Sequence, residues 1–276
     1  MDLSSYDIIL VNTSAGKDSQ TTMRKVVHLA TEQGVLDRVV AVHADLPDVE
    51  WEGVGELAAL QSAHYGLRFE VVTRTQNNLL EHTLALYHGR LAKGQDKVPW
   101  PDRNNRWCTS DHKRGPVRRV MTMLVKELRD AGTVSGRPVR LLNCMGLRAQ
   151  ESPERAKKPT FAYDEGASGK GTVRQVWNWL PIHDWTEEQV WADIHASGVP
   201  YHFAYDLGMP RLSCCFCIFS GRDALVLAAK HNKALALQYH AVEIETGYTM
   251  KKNLPFSEII AAAATETVVS VRNWAA

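Results

Sequence analysis

Residues 14–19 read Ser14-Ala15-Gly16-Lys17-Asp18-Ser19, two hydroxyls, a glycine, an ammonium and a carboxylate within six positions. They follow a short apolar run at 8–11 and precede a helical pattern that begins near Gln20. A strand that enters a glycine-containing loop opening a helix is a geometry that cradles phosphate. The backbone N–H groups and the positive helix end face the anion. The hydroxyls and Lys17 add donors, so the segment predicts a nucleotide site. Asp18 cannot attract phosphate itself; it holds the loop's shape or a Mg²⁺ ion. A Walker A loop would need glycine five positions before Gly16 and Ser or Thr after Lys17, where this chain has Val11 and Asp18. Gly53-Val54-Gly55 matches a loose dinucleotide fingerprint, but it follows a polar stretch rather than a strand.

The second chemical group is sulfur. Of five cysteines, three crowd into Cys214, Cys215 and Cys217, and Cys108 lies about a hundred residues earlier. An odd count, clustered, in a chain with no export signal at its start points to metal or redox chemistry rather than to disulfides. Thiolates are soft ligands for a redox-active metal. A structural zinc site built from Cys-x-x-Cys, a third cysteine and a nearby histidine is the alternative. Cys215 is either a fourth ligand or a bystander. Cys144 sits in the apolar run Leu141-Leu142-Asn143-Cys144-Met145 and is expected in the core.

These groups need a scaffold, and the pattern supplies one. Strands are expected at 8–11, 39–42, 69–73 and 139–144, with helices at 20–33, 49–65, 79–91 and 116–131. The last helix carries Val117, Val120, Met121, Leu124, Val125 and Leu128 at helical spacing. Alternation of this kind predicts a doubly wound, mainly parallel α/β sheet, with ligands at the carboxyl ends of the strands. Residues 14–19 and Asp45 would sit there. Residues 151–172, polar and carrying Lys157, Lys158 and Lys170, read as a mobile flap. These lysines and Arg174 either grip a polyanion or form a solvated face. Thr186-Glu187-Glu188-Gln189 is a capping box that starts a helix to about residue 196. The chain from 223 onward reads as mainly helical, its apolar stretch at 259–264 being either core or an interface. The expected division is a nucleotide-binding domain at 1–180 and a helical, cysteine-bearing region at 181–276. Trp177, Trp179, Trp185 and Trp191 are expected to pack in the core rather than to stack on bases.

The chain has 276 residues, 45% hydrophobic and 23% charged, with a formal net charge of +1. Such a balance gives no global sign of polyanion binding, though a local basic face would still allow it. No apolar run approaches the ~20 residues of a membrane span, and the opening residues lack a basic leader. The expectation is a cytoplasmic protein with no membrane association.

Four blocks in order carry a family resemblance: residues 14–19; Arg106-Trp107-Cys108-Thr109 with Lys113 and Pro116; Gly146-Leu147-Arg148-Ala149-Gln150-Glu151-Ser152 with Arg155; and the stretch from Trp179 through Leu180-Pro181-Ile182-His183-Asp184-Trp185-Thr186 to Leu212-Ser213-Cys214-Cys215-Phe216-Cys217. Together they resemble the phosphoadenosine phosphosulfate (PAPS) reductase family of the N-type ATP pyrophosphatase (PP-loop) superfamily. The likeness is greatest to the ATP pyrophosphatase component of DNA phosphorothioation systems. The resemblance implies an adenine nucleotide alpha-hydrolase-like fold that binds ATP and Mg²⁺. In it Ser14, Gly16, Lys17, Asp18 and Ser19 hold phosphates, Asp45 lies near the adenosine, and Gly146, Arg148 and Arg155 complete the anion site. Lys17, Asp18 and Arg148 would take part in the chemistry. Cys108, Cys214 and Cys217, with Cys215 as a candidate fourth, would hold a [4Fe–4S] cluster. The reductases of the family end in a Glu-Cys-Gly-Leu-His type tail, whereas no cysteine follows Cys217 here. The implied reaction is therefore adenylylation of an acceptor oxygen for sulfur insertion, in DNA phosphorothioation. Sulfonucleotide reduction and thiolation of tRNA or a small molecule are the alternatives. A cysteine desulfurase, DNA or DNA-binding subunits, and a second copy of the chain are the implied partners.

Overall fold

The computed structural model describes residues 1–169 and 173–266. Lys170 of the expected flap and the tail from residue 267 lie outside the described residues. In chain order the elements are β1 (Ile8–Thr13), α1 (Lys17–Glu32), β2 (Val39–Ala44), α2 (Val54–His64), β3 (Arg68–Val72) and α3 (Leu79–Leu91). A short α4 (Trp107–Thr109) runs through a π turn (Ser110–Arg114) into α5 (Gly115–Asp130). Then come β4 (Val139–Cys144), α6 (Pro153–Ala156), β5 (Phe161–Tyr163), β6 (Arg174–Trp179), α7 (Glu187–Ser197), α8 (Arg222–His231), α9 (Lys233–Thr246) and α10 (Phe256–Thr265).

The six strands form one sheet in the order β3-β2-β1-β4-β6-β5, all parallel except β5, which runs antiparallel to β6. Continuous Val, Ile and Leu runs with no polar alternation are what a sheet buried on both faces requires. One face packs Ile9, Val11, Ala41, Leu142 and Cys144 on Met23, Val26 and Ala30 of α1. The other packs Ile8, Leu10, Val40, Val42, Leu141 and Val176 on Val117, Val120, Met121, Leu124 and Val125 of α5. Each of those α5 side chains contributes about 1.5–3 kcal/mol by leaving water. The doubly wound, mainly parallel α/β architecture is thus as the pattern predicts.

The chain forms two compact units that interleave in sequence. The first comprises Met1–Ala44, Gly53–Val72 and Pro116–His202; the second comprises Asp45–Glu52, Thr73–Gly115 and the chain from Phe203. The first holds the whole sheet with α1, α2, α6, α7 and nearly all of α5. The second holds α3, α4, the π turn and α8 to α10, around Phe216, Tyr239 and Phe256, whose ring centroids lie 4.9–5.1 Å apart. α10 packs on α8 and α9 with Ile259 and Ala262 buried, so one face of the apolar stretch at 259–264 is core, while Ala261 and Ala264 are exposed. No helix among the described residues is long and apolar enough to cross a membrane.

Several elements differ from the sequence pattern. α1 begins three residues earlier than expected, at Lys17, and α2 begins at Val54 rather than near 49. Asp48 and Gly53 both take positive φ, 69° and 82°, which no continuous helix allows. Within the expected flap, the described residues 151–169 contain α6 and the edge strand β5, whose partner β6 the pattern also missed. Trp179 is buried and Trp177 packs beside it, while Trp185 and Trp191 pack against Ile182, Val190 and Ile194. All four are framework.

Candidate functional site

In the first unit, β1 ends at Thr13 and the chain turns through Ala15, which takes φ 55°, a left-handed conformation that side chains beyond glycine rarely adopt. The turn is pinned internally. Ala15 N–H donates to Thr13 Oγ1 at 3.2 Å, Ser14 N–H to Ser19 Oγ at 3.1 Å, and Ser19 Oγ–H to the Gly16 carbonyl at 2.8 Å. The first helical bond of α1 is Gln20 N–H to Gly16 O, 3.0 Å. The N–H groups of residues 16–19 therefore lie at a helix start and precede the ladder, the donors that a helix end presents to an anion.

Both loop charges are engaged. Lys17 is 3% exposed; its Nζ lies 3.1 Å from Glu187 Oε1 on α7 and 6.0 Å from the centre of the Trp191 ring. Asp18 Oδ1 accepts from Arg148 Nε at 2.5 Å. Arg148, also 3% exposed, donates from Nη1 to Gln150 Oε1 at 2.7 Å, and its backbone N–H donates to Glu151 Oε2 at 3.0 Å. Gln150 Oε1 also accepts the Glu187 N–H at 2.8 Å. α7 is capped as expected: Thr186 Oγ1 accepts the Gln189 N–H and Gln189 Oε1 accepts the Thr186 N–H. One network thus links the first turn of α1, the 146–151 segment and the start of α7. Glu187 is the member that the sequence reading left out; in sequence it is one more acid in a helix's first turn.

Gly146 belongs here by close approach. A Cβ at this position would lie 2.6 Å from the Asp18 carbonyl oxygen and 2.9 Å from Ser19 N, both backbone atoms that cannot swing away. Arg155 pairs with Glu151, and its carbonyl accepts from His183 Nε2 at 2.9 Å, so its guanidinium is held within the same segment. Asp45 follows β2 directly in sequence, half-buried, and belongs to the second unit.

The cysteines all lie in the second unit except Cys144, which is buried in β4. Cys214 and Cys217 flank a turn at Cys215-Phe216, and the Cys215 N–H donates to the Val49 carbonyl at 2.9 Å. Cys108 sits in α4. Cys108, Cys214 and Cys217 are half-buried, whereas Cys215 is fully buried. Burial raises the Cys108 pKa, and the nearby Cys217 raises it further, against the opposing pull of Lys113 and Arg106. Burial pushes Cys214 up to about 12, with Lys113 pulling down and Cys217, Glu50 and Cys108 pushing up. Burial also opposes the charge of Lys113, yet Cys214, Glu50, Cys217 and Cys108 together raise its pKa. Cys108, Cys214 and Cys217 are therefore electrostatically coupled to one another and to Lys113. Burial holds Cys215 above the ordinary thiol range, and its side chain is spent in the core.

The second unit also carries a buried histidine pair. His112 Nε2 lies 3.1 Å from His82 Nδ1 and 3.3 Å from Arg74 Nη1. Arginine can only donate, so His112 Nε2 is the acceptor and His82 Nδ1 carries a proton. The His82 ring also meets Trp107 edge-on, centroids 4.4 Å apart.

A family model, the phosphoadenosine phosphosulfate reductase domain, matches residues 8–220. An adenosine 5′-phosphosulfate reductase of Neisseria meningitidis is 38% identical over 72 residues, 26% of this chain and 26% of that protein. A 37.8 kDa protein of Escherichia phage 186 is 27% identical over 157 residues, 56% of this chain and 39% of its own length. The chain thus spans about a quarter of the length of the curated reductases it matches. Among solved structures, a PAPS reductase from Candida auris in complex with phosphate has a TM-score of 0.46 at 15% identity, covering 77% of this chain and 83% of its own. The U34-tRNA thiolase NcsA of Methanococcus maripaludis, solved with its [4Fe–4S] cluster, has a TM-score of 0.42 at 12% identity, covering 96% and 73%. The family model spans the phosphate-type loop, the Arg148 segment and all three half-buried cysteines, and this chain belongs to the phosphoadenosine phosphosulfate reductase domain family.

Proposed function

We propose that this protein is an ATP pyrophosphatase that activates an acceptor oxygen for replacement by sulfur, with a nucleic-acid backbone phosphate as the acceptor, as in DNA phosphorothioation. The observation that carries the reading is the loop at 14–19: a pinned turn at the start of α1 with Lys17 and Arg148 beside it. The acceptor oxygen attacks the α-phosphorus of ATP, the bond to the β-phosphate bridge breaks, and pyrophosphate leaves. The helix-start N–H groups and Lys17 oppose the charge that grows on the departing oxygens. Lys17 leaves Glu187, which is 44% exposed and can turn to water. Asp18, anchored by Arg148, keeps the turn in shape, and Mg²⁺ shared with the phosphates would neutralise them. In a second step hydrosulfide attacks the activated acceptor and AMP leaves with the oxygen. A cysteine desulfurase supplies that sulfur as persulfide, and an external thiol reduces it, becoming a disulfide.

The donor set in the second unit fits an iron–sulfur group. Three half-buried thiols with a lysine among them offer soft ligands and a counter-charge. Cys108, Cys214 and Cys217 would hold the cluster, which supplies, when bound, one iron not taken by protein sulfur. Zinc on the same thiols is the competing occupant.

Incubating the anaerobically prepared protein with a desulfurase, cysteine, a thiol, Mg-ATP and either DNA or tRNA, then weighing the digested nucleotides, tests the acceptor. A mass gain of sulfur for oxygen in DNA supports the proposal; a gain in tRNA bases alone moves the acceptor to tRNA. No gain in either refutes sulfur insertion into nucleic acid. Several of the curated relatives are adenosine 5′-phosphosulfate reductases, which favours a second reading, reduction of a sulfonucleotide. Release of sulfite from adenosine 5′-phosphosulfate in the presence of a thiol would establish it.

A further inference from the structure

Three asparagines cross the sheet of the first unit in a line. Asn12 of β1, Asn143 of β4 and Asn178 of β6 share the parity of Leu10, Leu141 and Val176, so they lie on the α5 face at the carboxyl ends of their strands. Asn12 Nδ2 donates to Asn143 Oδ1 at 2.7 Å, Asn143 Nδ2 to Asn178 Oδ1 at 2.7 Å, and Asn178 Nδ2 to Asp164 Oδ2 at 3.0 Å. An amide's oxygen and nitrogen are assigned from their partners, and here both ends fix the direction. The Asp164 carboxylate can only accept. At the other end Asn12 Nδ2 also donates to the Cys144 carbonyl, at 3.0 Å, which can only accept as well. Asp164 is itself held, taking the Ala167 N–H at 2.9 Å with Arg118 at 3.7 Å.

Every hydrogen bond in the ladder therefore points toward Asp164. Both amide hydrogens of Asn12 are spent, and its Oδ1 is the one ladder acceptor with no protein donor among the described residues. Asn12 is half-buried, so that oxygen reaches solvent at the sheet's carboxyl edge. Asn12 precedes Ser14 by two residues, about 7 Å of strand, and lies on the face opposite α1. A nucleotide whose phosphates rest on the start of α1 brings its ribose into that reach, because the sugar is bonded directly to the α-phosphate while the base lies beyond it.

Resting on the nucleotide reading of the loop, we infer that Asn12 Oδ1 accepts a hydrogen bond from a ribose hydroxyl of the bound nucleotide, with the Asn143–Asn178–Asp164 ladder holding the amide in that orientation. The site then selects ribonucleotides over deoxyribonucleotides. A reversed amide would present N–H groups to the hydroxyl and turn its own oxygen toward the Cys144 carbonyl oxygen, acceptor against acceptor, which is what the ladder prevents. Asp164 and Asn178 are positioning residues; neither touches the ligand.

Equilibrium binding of ATP, 2′-deoxy-ATP and 3′-deoxy-ATP to the wild type and to Asn12→Ala and Asp164→Asn, measured by calorimetry, tests this. The wild type should bind ATP about 5–10-fold more tightly than one of the two deoxy analogues, the worth of one hydrogen bond. Asn12→Ala should bind all three alike. Asp164→Asn, which leaves Asn12 in place but frees the ladder to reverse, should keep its fold and lose part of the preference. Equal wild-type affinity for all three, or a preference that survives Asn12→Ala or is untouched in Asp164→Asn, overturns the ribose contact while the loop reading stands. No binding of ATP by the wild type overturns the loop reading and the inference with it. If Asn12→Ala does not fold, the wild-type ratios and Asp164→Asn decide.

Discussion

At the scale of single residues, the four cysteines of the second unit divide by burial, three half-buried and one wholly inside. Under the proposed function Cys108, Cys214 and Cys217, each electrostatically coupled to Lys113, hold the metal, and Cys215 packs in the core. Replacing any of the first three by serine should abolish bound iron and its visible absorbance in anaerobically purified protein. Cys215→Ala should keep both, at a stability loss of about 1 kcal/mol for the buried group removed. Iron analysis and absorbance spectra check this; loss of iron in Cys215→Ala would make it a ligand. Gly146 gives a second residue-level expectation. A Cβ 2.6 Å from the Asp18 carbonyl cannot be absorbed by a side-chain rotation, so Gly146→Ala should destabilise by about 1–3 kcal/mol and weaken ATP binding by shifting the first turn of α1. Urea melts and a nucleotide titration measure both effects. Of these residues, the cysteines were legible because spacing alone reveals a Cys-x-x-Cys pair. The burial of Cys215 was not, since it depends on which way a turn presents its middle residues. The asparagine ladder left a trace, one Asn in each of the apolar runs of β1 and β4, but only the strand order brings Asn178 of the polar β6 beside them.

At the scale of elements, the segment from α4 through the π turn to α5 carries the buried His112. Burial, then Arg74 and His82, lower its pKa from 6.5 to about 4. The unfolded chain therefore takes the proton more readily than the folded one. The neutral ring's contribution to stability is complete above about pH 6.5 and is lost as pH falls toward about 4. His82, lowered chiefly by burial, acts in the same direction. Denaturant midpoints measured from pH 7.5 to 4 should fall through that window, and His112→Gln, less stable at pH 7, should show a flatter profile. An unchanged slope would contradict the hydrogen-bond assignment. The buried strands and amphipathic helices were readable because their periodicity is set by one sheet with two covered faces. β6 and the edge strand β5 were not. β6 mixes Arg, Gln, Asn and Trp, its polar members serving the ladder and the edge, and β5 is three residues whose one strand partner among the described residues is β6. The start of α2 was misplaced because a left-handed turn at Asp48 and Gly53 interrupts an otherwise helix-compatible run.

At the scale of the whole molecule, the chain interleaves two compact units, one carrying the sheet and the phosphate-type loop, the other the half-buried cysteines. A linear reading naturally draws one boundary, at 180; interleaving is invisible to it because stretches distant in sequence build each unit. Under the proposed function ATP chemistry belongs to the first unit, with Lys17 its most sensitive point: Lys17→Ala should lower pyrophosphate release on the order of 100-fold. Because Glu187 keeps access to water, the fold should survive that change. The most direct measurement follows the label of α-phosphorus-labelled ATP through the iron-loaded protein, with Mg²⁺, acceptor and sulfur donor present. The account predicts labelled AMP in equal amount to released pyrophosphate, both dependent on the acceptor. Labelled ADP with orthophosphate, or intact ATP with every acceptor tried, would contradict it.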